Sequence, residues 1–282
     1  MKIVITGCDG QLGKEIVKQL NREEKISGNE LFALNRLKLD ISDFNNVNKY
    51  ISSIKPDVVI NCAAFTKVDL CEDEIELAYK INSIGPKNLS ICCEKVNAKL
   101  VQISTDYVFE GKNKNLYRED DITNPQSVYG KSKLLGEKYV QDFCSKYFII
   151  RTAWLYGDGN NFVNTMLKLS ESKDEINVVN DQIGTPTSTV DLAKVILKLI
   201  YTENYGLYHG TNKGYCSWYD FAKKIFEIKK IDIKVNPINS EEYISKVKRP
   251  QYSVLDNFLL RIINLDEFRN WEDALYEYLN KN

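Results

Sequence analysis

The first 20 residues constrain the fold more than any other stretch. Residues 3–5 are a short β-branched apolar run, Gly7-Cys8-Asp9-Gly10-Gln11-Leu12-Gly13 follows at once, and Leu12, Ile16, Val17 and Leu20 then recur at helical spacing. A strand that turns directly into a helix through three glycines opens a phosphate-binding βα unit. The glycines permit the tight turn, close backbone approach to a pyrophosphate and close helix packing, and the anion meets the helix N-terminus. The spacing is GxxGxxG rather than GxGxxG, so its place at the end of the first strand is what gives it meaning. On this reading Gly7, Gly10, Gln11, Leu12 and Gly13 hold a nucleotide cofactor.

The same alternation continues. Residues 31–34 read as a second strand, 58–60 after Pro56 as a third, and 100–104 as a fourth behind a helix over about 82–96; a helix over 129–143 and a strand over 147–151 follow. Strands alternating with helices imply an α/β, Rossmann-type, doubly wound parallel sheet, because parallel neighbours need crossover connections. Beyond about Leu155 the pattern loosens. Gly157, Gly159, Asn160 and Asn161 form a loop, Thr185-Pro186-Thr187 precedes a helix over about 190–200, and helices near 218–226 and 271–279 flank Arg249-Pro250. With 282 residues and roughly 150 per domain, two units are expected. The NAD(P)-binding Rossmann domain takes 1–155 plus about 187–205, and a smaller C-terminal α/β substrate-binding domain takes about 156–186 and 206–282.

Composition removes several functions. The 38 Lys and Arg against 39 Asp and Glu leave a formal net charge of -1, with no global positive field to gather nucleic acid or an anionic membrane, so an anionic ligand must be held locally. Seven cysteines, with Cys92 and Cys93 adjacent, suit neither a disulfide framework nor CxxC zinc spacing and read as reduced thiols. His209 is the only histidine, between Tyr208 and Gly210, which disfavours a histidine-based triad or metal site and suits a structural role. No apolar run approaches a membrane span or a signal-peptide core, so a cytoplasmic protein without membrane partners is expected.

Chemistry concentrates after the strands. Where an acid would take the ribose 2'-hydroxyl at the end of the second strand, the chain has Asn35 and Arg36; the guanidinium is suited to a 2'-phosphate, or is a solvated loop arginine. Asp40 either accepts from an adenine amino group or caps the helix beginning near Asp43. After the third strand, Ala63 and Ala64 in Asn61-Cys62-Ala63-Ala64 let backbone approach the cofactor. Ser104-Thr105-Asp106 ends the fourth strand, and Tyr129 and Lys133 stand four apart on the next helix, hence on one face. There the ammonium favours the tyrosinate and makes the tyrosine a usable proton donor near neutrality.

With these residues in place the chain resembles the extended short-chain dehydrogenase/reductases, and within them the dTDP-4-dehydrorhamnose reductases, over nearly its whole length. The resemblance runs through Gly7 to Gly13, Leu39-Asp40-Ile41, Asn61 to Ala64 with Thr66, Val68 and Asp69, Ser104 to Phe109, Tyr129 to Lys133, Arg151 to Gly157, Asn161-Phe162, Asp181 to Thr187, and Arg249-Pro250 with Ser253. It implies reduction of the C4 ketone of dTDP-4-dehydro-β-L-rhamnose with a reduced nicotinamide cofactor, which Asn35 and Arg36 make NADPH, NADH being an alternative donor. Tyr129 is then the general acid, Lys133 holds the nicotinamide ribose, and Thr105 bonds near the reacting oxygen. Asp40, Ile41 and Thr66 join the cofactor residues, Asp106, Tyr107 and Trp154 line the sugar site, and Arg249 meets the substrate diphosphate. Some relatives bridge a dimer through magnesium; Glu15 has a counterpart there, but Val190 stands where a second acid is needed, so no metal is expected and the state is monomer or homodimer. Two readings share the machinery: reduction of another 4-keto or acetamido sugar nucleotide, and a non-catalytic cofactor-binding regulatory subunit. The intact Thr105, Tyr129 and Lys133 set, for which a scaffold has no chemical need, favours the enzyme.

Overall fold

The computed structural model describes residues 1–22, 28–112, 115–243 and 245–281 in full and 23–27 as backbone. The first half builds β1 (Lys2–Thr6), α1 (Gln11–Ser27), β2 (Glu30–Leu34), α2 (Phe44–Ile54), β3 (Val58–Asn61), α3 (Val68–Asp73), α4 (Ile75–Tyr79), α5 (Gly85–Val96), β4 (Lys99–Thr105), α6 (Val128–Phe143) and β5 (Tyr147–Thr152). Then come β6 (Leu155–Tyr156), α7 (Phe162–Ser170), β7 (Glu175–Val179), β8 (Ile183–Gly184), β9 (Thr187–Ser188), α8 (Thr189–Leu199) and β10 (Gly206–His209). The chain ends with β11 (Cys216–Ser217), α9 (Trp218–Lys229), β12 (Lys234–Ile238), α10 (Phe258–Ile262) and α11 (Trp271–Asn280).

The main sheet runs β10-β5-β4-β3-β1-β2, and every pairing in it is parallel. Its strands are apolar runs without alternation because helices cover both faces. Ile3, Ile5, Val58 and Ile60 face α1 and α8, where Leu12, Ile16, Leu192 and Ile196 complete one core. Val4 and Val59 face the other way, onto Val47 and Ile51 of α2, Leu89 of α5 and Val140 of α6. The order reverses at β1, which has β2 on one side and β3 on the other. Such a reversal leaves a crevice beyond the carboxyl ends of these strands, which is where open α/β sheets bind ligands.

Beside the sheet stands the smaller unit, with β7 parallel to β12 and α7, α9 and α11 around a core of Tyr156, Phe221, Ile225 and Trp271. Two points correct the boundary drawn at about 205. Gly206–His209 pairs with Phe148–Arg151 and completes the large sheet, and Leu260 and Phe268 lie in that sheet's core. Both hold for the same reason: β5 would otherwise be an open edge, and its apolar face needs cover. The helix expected over 82–96 starts earlier, since Lys80–Ile84 winds as a π-turn joining α4 to α5. Within it Asn82 bonds both backbone groups of Phe65 (2.9 and 3.0 Å) and the Ser132 hydroxyl (3.1 Å), tying the loop after β3 to α6.

Candidate active site

The glycine turn is built by close approach. Gly7 has φ of 65°, in the left-handed region, and a Cβ there would lie 2.6 Å from the Ala63 nitrogen; a Cβ on Gly13 would lie 2.4 Å from the Gly7 carbonyl oxygen. So β1, the start of α1 and the end of β3 touch backbone to backbone. Gly10 is the N-cap of α1 and supplies no side-chain acceptor, which leaves first-turn N–H groups to an outside anion. These features fit a dinucleotide diphosphate.

A cleft of about 510 Å³ opens beyond the carboxyl ends of β1, β3, β4 and β5. Gly10, Gln11, Leu12 and Gly13 form one end of it, with Ala63, Ala64 and Thr66 along the β3 side. Thr105, Asp106, Tyr107, Tyr129, Lys133, Trp154 and Arg249 share the same cleft. Asn161 reaches across from the start of α7 to the Gln11 side chain (3.1 Å), so the smaller unit touches the glycine turn directly.

Three successive turns of α6 address β4. Ser127 caps the helix by accepting from the Gly130 N–H (3.1 Å), which fixes where Tyr129 and Lys133 emerge. The Tyr129 hydroxyl hydrogen-bonds the Thr105 side chain. Thr105 Oγ1 donates to Asp106 Oδ1 (2.9 Å) and accepts from the Tyr107 N–H (3.2 Å). Lys133 Nζ donates to the Ile103 carbonyl (2.6 Å). Burial raises the Tyr129 hydroxyl above its ordinary range, against the Thr105 hydrogen bond and helped by the Asp106 charge. Loss of water sets this direction, and Tyr129 stays protonated, as a proton donor must. Burial lowers Lys133 to about 8, against the negative charge of Glu137. Burial also raises Asp106 to about 6, against hydrogen bonds from Ser253 and Thr105.

Trp154, with φ of 46°, stacks on Trp218 at 3.5 Å between ring centroids and 8° between planes, and the pair forms the cleft wall contributed by the smaller unit. Arg249 pairs with Asp69 of α3 through Nη2 (3.2 Å), while its buried Nε has no partner among the described residues. The arginine therefore keeps one donor facing no protein acceptor.

The residues expected around the adenosine do not line this cleft. Arg36 is 71% exposed, with Nε 3.9 Å from Asp40 Oδ2, and the Asn35 side chain accepts from the Lys38 N–H (3.2 Å). Asp43, not Asp40, caps α2; Asp40 accepts from the Ser42 N–H (2.9 Å) and hydroxyl (2.7 Å) in the preceding turn. Burial works to raise Asp40, but those hydrogen bonds prevail and its carboxyl is lowered. Ile41 packs in the core under α5 and gives its carbonyl to Asn88 (2.9 Å). His209 is fully buried against the Tyr117 carbonyl, and burial depresses it to about 3. Glu15 pairs with Lys18 (3.5 Å), and among the described residues no group of three or more His, Cys, Asp or Glu is placed to hold a metal. No helix among them is long and apolar enough to cross a membrane.

Sequence reasoning missed Trp218 and Glu137. No local signal marks Trp218, whose partner Trp154 lies far away in the chain. Glu137 does follow Lys133 by four, and that spacing could have disclosed it.

The profile of the RmlD substrate binding domain family matches residues 1–282. The chain is 44% identical over 281 residues to the spore coat polysaccharide biosynthesis protein SpsK of Bacillus subtilis, covering 99% of this chain and 97% of that one. It superimposes with a TM-score of 0.97 on a dTDP-4-dehydrorhamnose reductase crystal structure from Clostridium acetobutylicum, at 54% identity with 100% and 99% of the two chains covered. A dTDP-4-dehydrorhamnose reductase from Bacillus anthracis, solved in complex with NADP, gives 0.96 at 43% identity, again with 100% and 99% covered.

Proposed function

The chain belongs to the RmlD substrate binding domain family, and on that footing we propose that it is a dTDP-4-dehydrorhamnose reductase using NADPH, with Tyr129 as general acid. The observation that carries this reading is the meeting of Thr105, Tyr129 and Lys133 in one cleft with the glycine turn at its end.

NADPH would lie with its diphosphate at the start of α1 and its nicotinamide toward Lys133, and when bound it supplies the hydride that reaches C4 of the sugar. The remaining steps belong to the protein. Thr105 and Tyr129 hold the ketone oxygen between two hydroxyls, which favours negative charge developing there. The protonated Tyr129 gives its proton to that oxygen. Lys133 binds the nicotinamide ribose and opposes charge on the resulting tyrosinate. Trp154 and Trp218 give the sugar an apolar wall and keep water from the reacting carbon. Arg249 takes the substrate diphosphate through the donors left to it by Asp69. The product is dTDP-L-rhamnose.

The test supplies the protein with NADPH and enzymatically prepared dTDP-4-dehydro-β-L-rhamnose, follows cofactor absorbance and identifies the sugar. One NADPH oxidised per dTDP-L-rhamnose formed is expected. No turnover with that substrate, alongside turnover of a different 4-keto or acetamido sugar nucleotide, would reassign the substrate; no turnover with any of them would make the chain a cofactor-binding subunit.

A further inference from the structure

Glu137 is 2% exposed. Its carboxylate accepts from Arg151 Nε (3.0 and 3.3 Å) and Nη2 (2.8 Å) and from the Ser104 hydroxyl. Such a pair is a poor way to stabilise a fold, since apolar residues of similar volume often serve as well or better. Its location suggests another use. Tyr129, Lys133 and Glu137 occupy one face of α6 at four-residue intervals, and each engages one of three consecutive residues of β4. Tyr129 meets Thr105, Lys133 meets Ile103, and Glu137 meets Ser104.

We propose that Glu137 is a positioning residue for the reduction: buried one turn behind Lys133 on the same face of α6 and clamped by Arg151 and Ser104, its carboxylate keeps the buried ammonium of Lys133 charged. The proposal rests on the reductase reading and goes one step deeper into the same site.

The groups around this stripe are few. Lys133 faces Glu137 on its own helix and Cys62 at the end of β3. Tyr129 faces Thr105 at the end of β4, Asp106 and Tyr107 just beyond it, and Cys71 of α3. Glu137 faces Ser104 of β4 and Arg151 of β5, and the charge of Arg151 also bears on His209 of β10. Among the groups that act on Lys133, Glu137 is the buried one whose charge opposes the loss of the proton, the thiol of Cys62 being itself held neutral by burial. The sign follows. Burial lowers Lys133 to about 8; take away the carboxylate charge, and the ammonium loses its proton at a lower pH still.

The test is Glu137→Gln, which keeps the side chain's shape and one acceptor oxygen for Arg151 and Ser104 but removes the charge. NADPH affinity is measured from nucleotide fluorescence between about pH 6 and 9.5, and kcat/KM over the same range. The parent should lose NADPH affinity with a midpoint near 8. In Glu137→Gln that midpoint should fall by about one pH unit or more in both assays, with affinity near pH 6 within about threefold of the parent. Glu137→Asp, with the charge kept on a shorter arm, should lower the midpoint by less than Glu137→Gln does. A uniform loss with an unmoved midpoint would mean a purely structural role and overturn the proposal. If the Gln chain does not fold, Glu137→Asp decides alone: a midpoint displaced downward supports the proposal, and an unmoved one overturns it. Binding needs no turnover, so a parent that binds NADPH yet reduces no sugar would sink the reductase reading while the midpoint still judges Glu137.

Discussion

Gly10→Ala and Gly13→Ala add the same methyl group to one turn and should fail in different ways. At Gly13 the new Cβ would lie 2.4 Å from the Gly7 carbonyl oxygen and 2.8 Å from the Cys8 Cα, both backbone atoms that no side-chain rotation can clear. A contact of about 3.2 Å needs the first turn of α1 to withdraw from β1 by about 0.8 Å, into a core packed at crystal density. Overpacking of this kind costs about 1–3 kcal/mol, here at or above the upper end, and the better helix propensity of Ala returns about 1. A net loss of about 2 kcal/mol should lower Tm by about 4 °C in a chain of this size. At Gly10 the Cβ meets only the Gly7 oxygen, at 3.3 Å, and the backbone is extended, with φ of -74°. Stability should change by less than about 1 kcal/mol. The methyl, however, stands on the cleft wall where the diphosphate has to touch backbone, so NADPH affinity should fall at least about tenfold. Differential scanning fluorimetry without ligand and fluorescence titration with NADPH separate the two effects. Gly13→Ala melting with the parent would refute the close-approach argument, and Gly10→Ala binding NADPH like the parent would remove the start of α1 as the diphosphate seat.

Tyr129→Phe should retain fold and NADPH binding while losing roughly 10²- to 10⁴-fold in kcat, about 3–5 kcal/mol of barrier; turnover within threefold of the parent would show that another group gives the proton. Arg249→Ala should raise KM for the nucleotide sugar about 10- to 150-fold with little change in kcat, since a charge-assisted diphosphate contact is made in ground and transition states alike. Its half-exposed partner Asp69 keeps the stability cost below about 1 kcal/mol, and an unchanged KM would confine Arg249 to that ion pair. Arg36→Ala should reduce the preference for NADPH over NADH in kcat/KM by up to about 10-fold, less than a buried contact would give because the side chain is 71% exposed; an unaltered preference would exclude it from the cofactor site.

What could be read from the sequence was local. The turn from β1 into α1 and the Tyr129–Lys133 spacing each lie within a few residues, where hydrophobic period and glycine placement carry the signal. The cleft wall of Trp154 and Trp218 joins two segments whose patterns do not refer to each other, and stacking leaves no period. Strand β10 is only four residues long and begins with a glycine at φ of 148°, so nothing nearby tells it from a loop; its partner β5 alone makes it a strand. The tyrosine's environment escaped for a different reason. Spacing places Lys133 beside Tyr129, but how much water the packing of α6 on β4 leaves there is a property of the whole fold, and that loss of water sets the direction of the shift.

The late arrival of β10 also governs how this chain can be made and cut. As the polypeptide leaves the ribosome, β1 to β5 are complete well before Gly206, yet the row of backbone groups along β5 must wait for that strand. Its core waits longer, for Leu260 and Phe268, which come only after most of the smaller unit has been synthesised. During that interval a nearly finished sheet exposes a pairing edge to any neighbouring chain, the period in which a nascent chain depends most on chaperones. Any fragment ending near residue 205 would keep that edge for good, so a soluble cofactor-binding module is better obtained by excising the smaller unit's loops and helices from within the chain than by shortening its end.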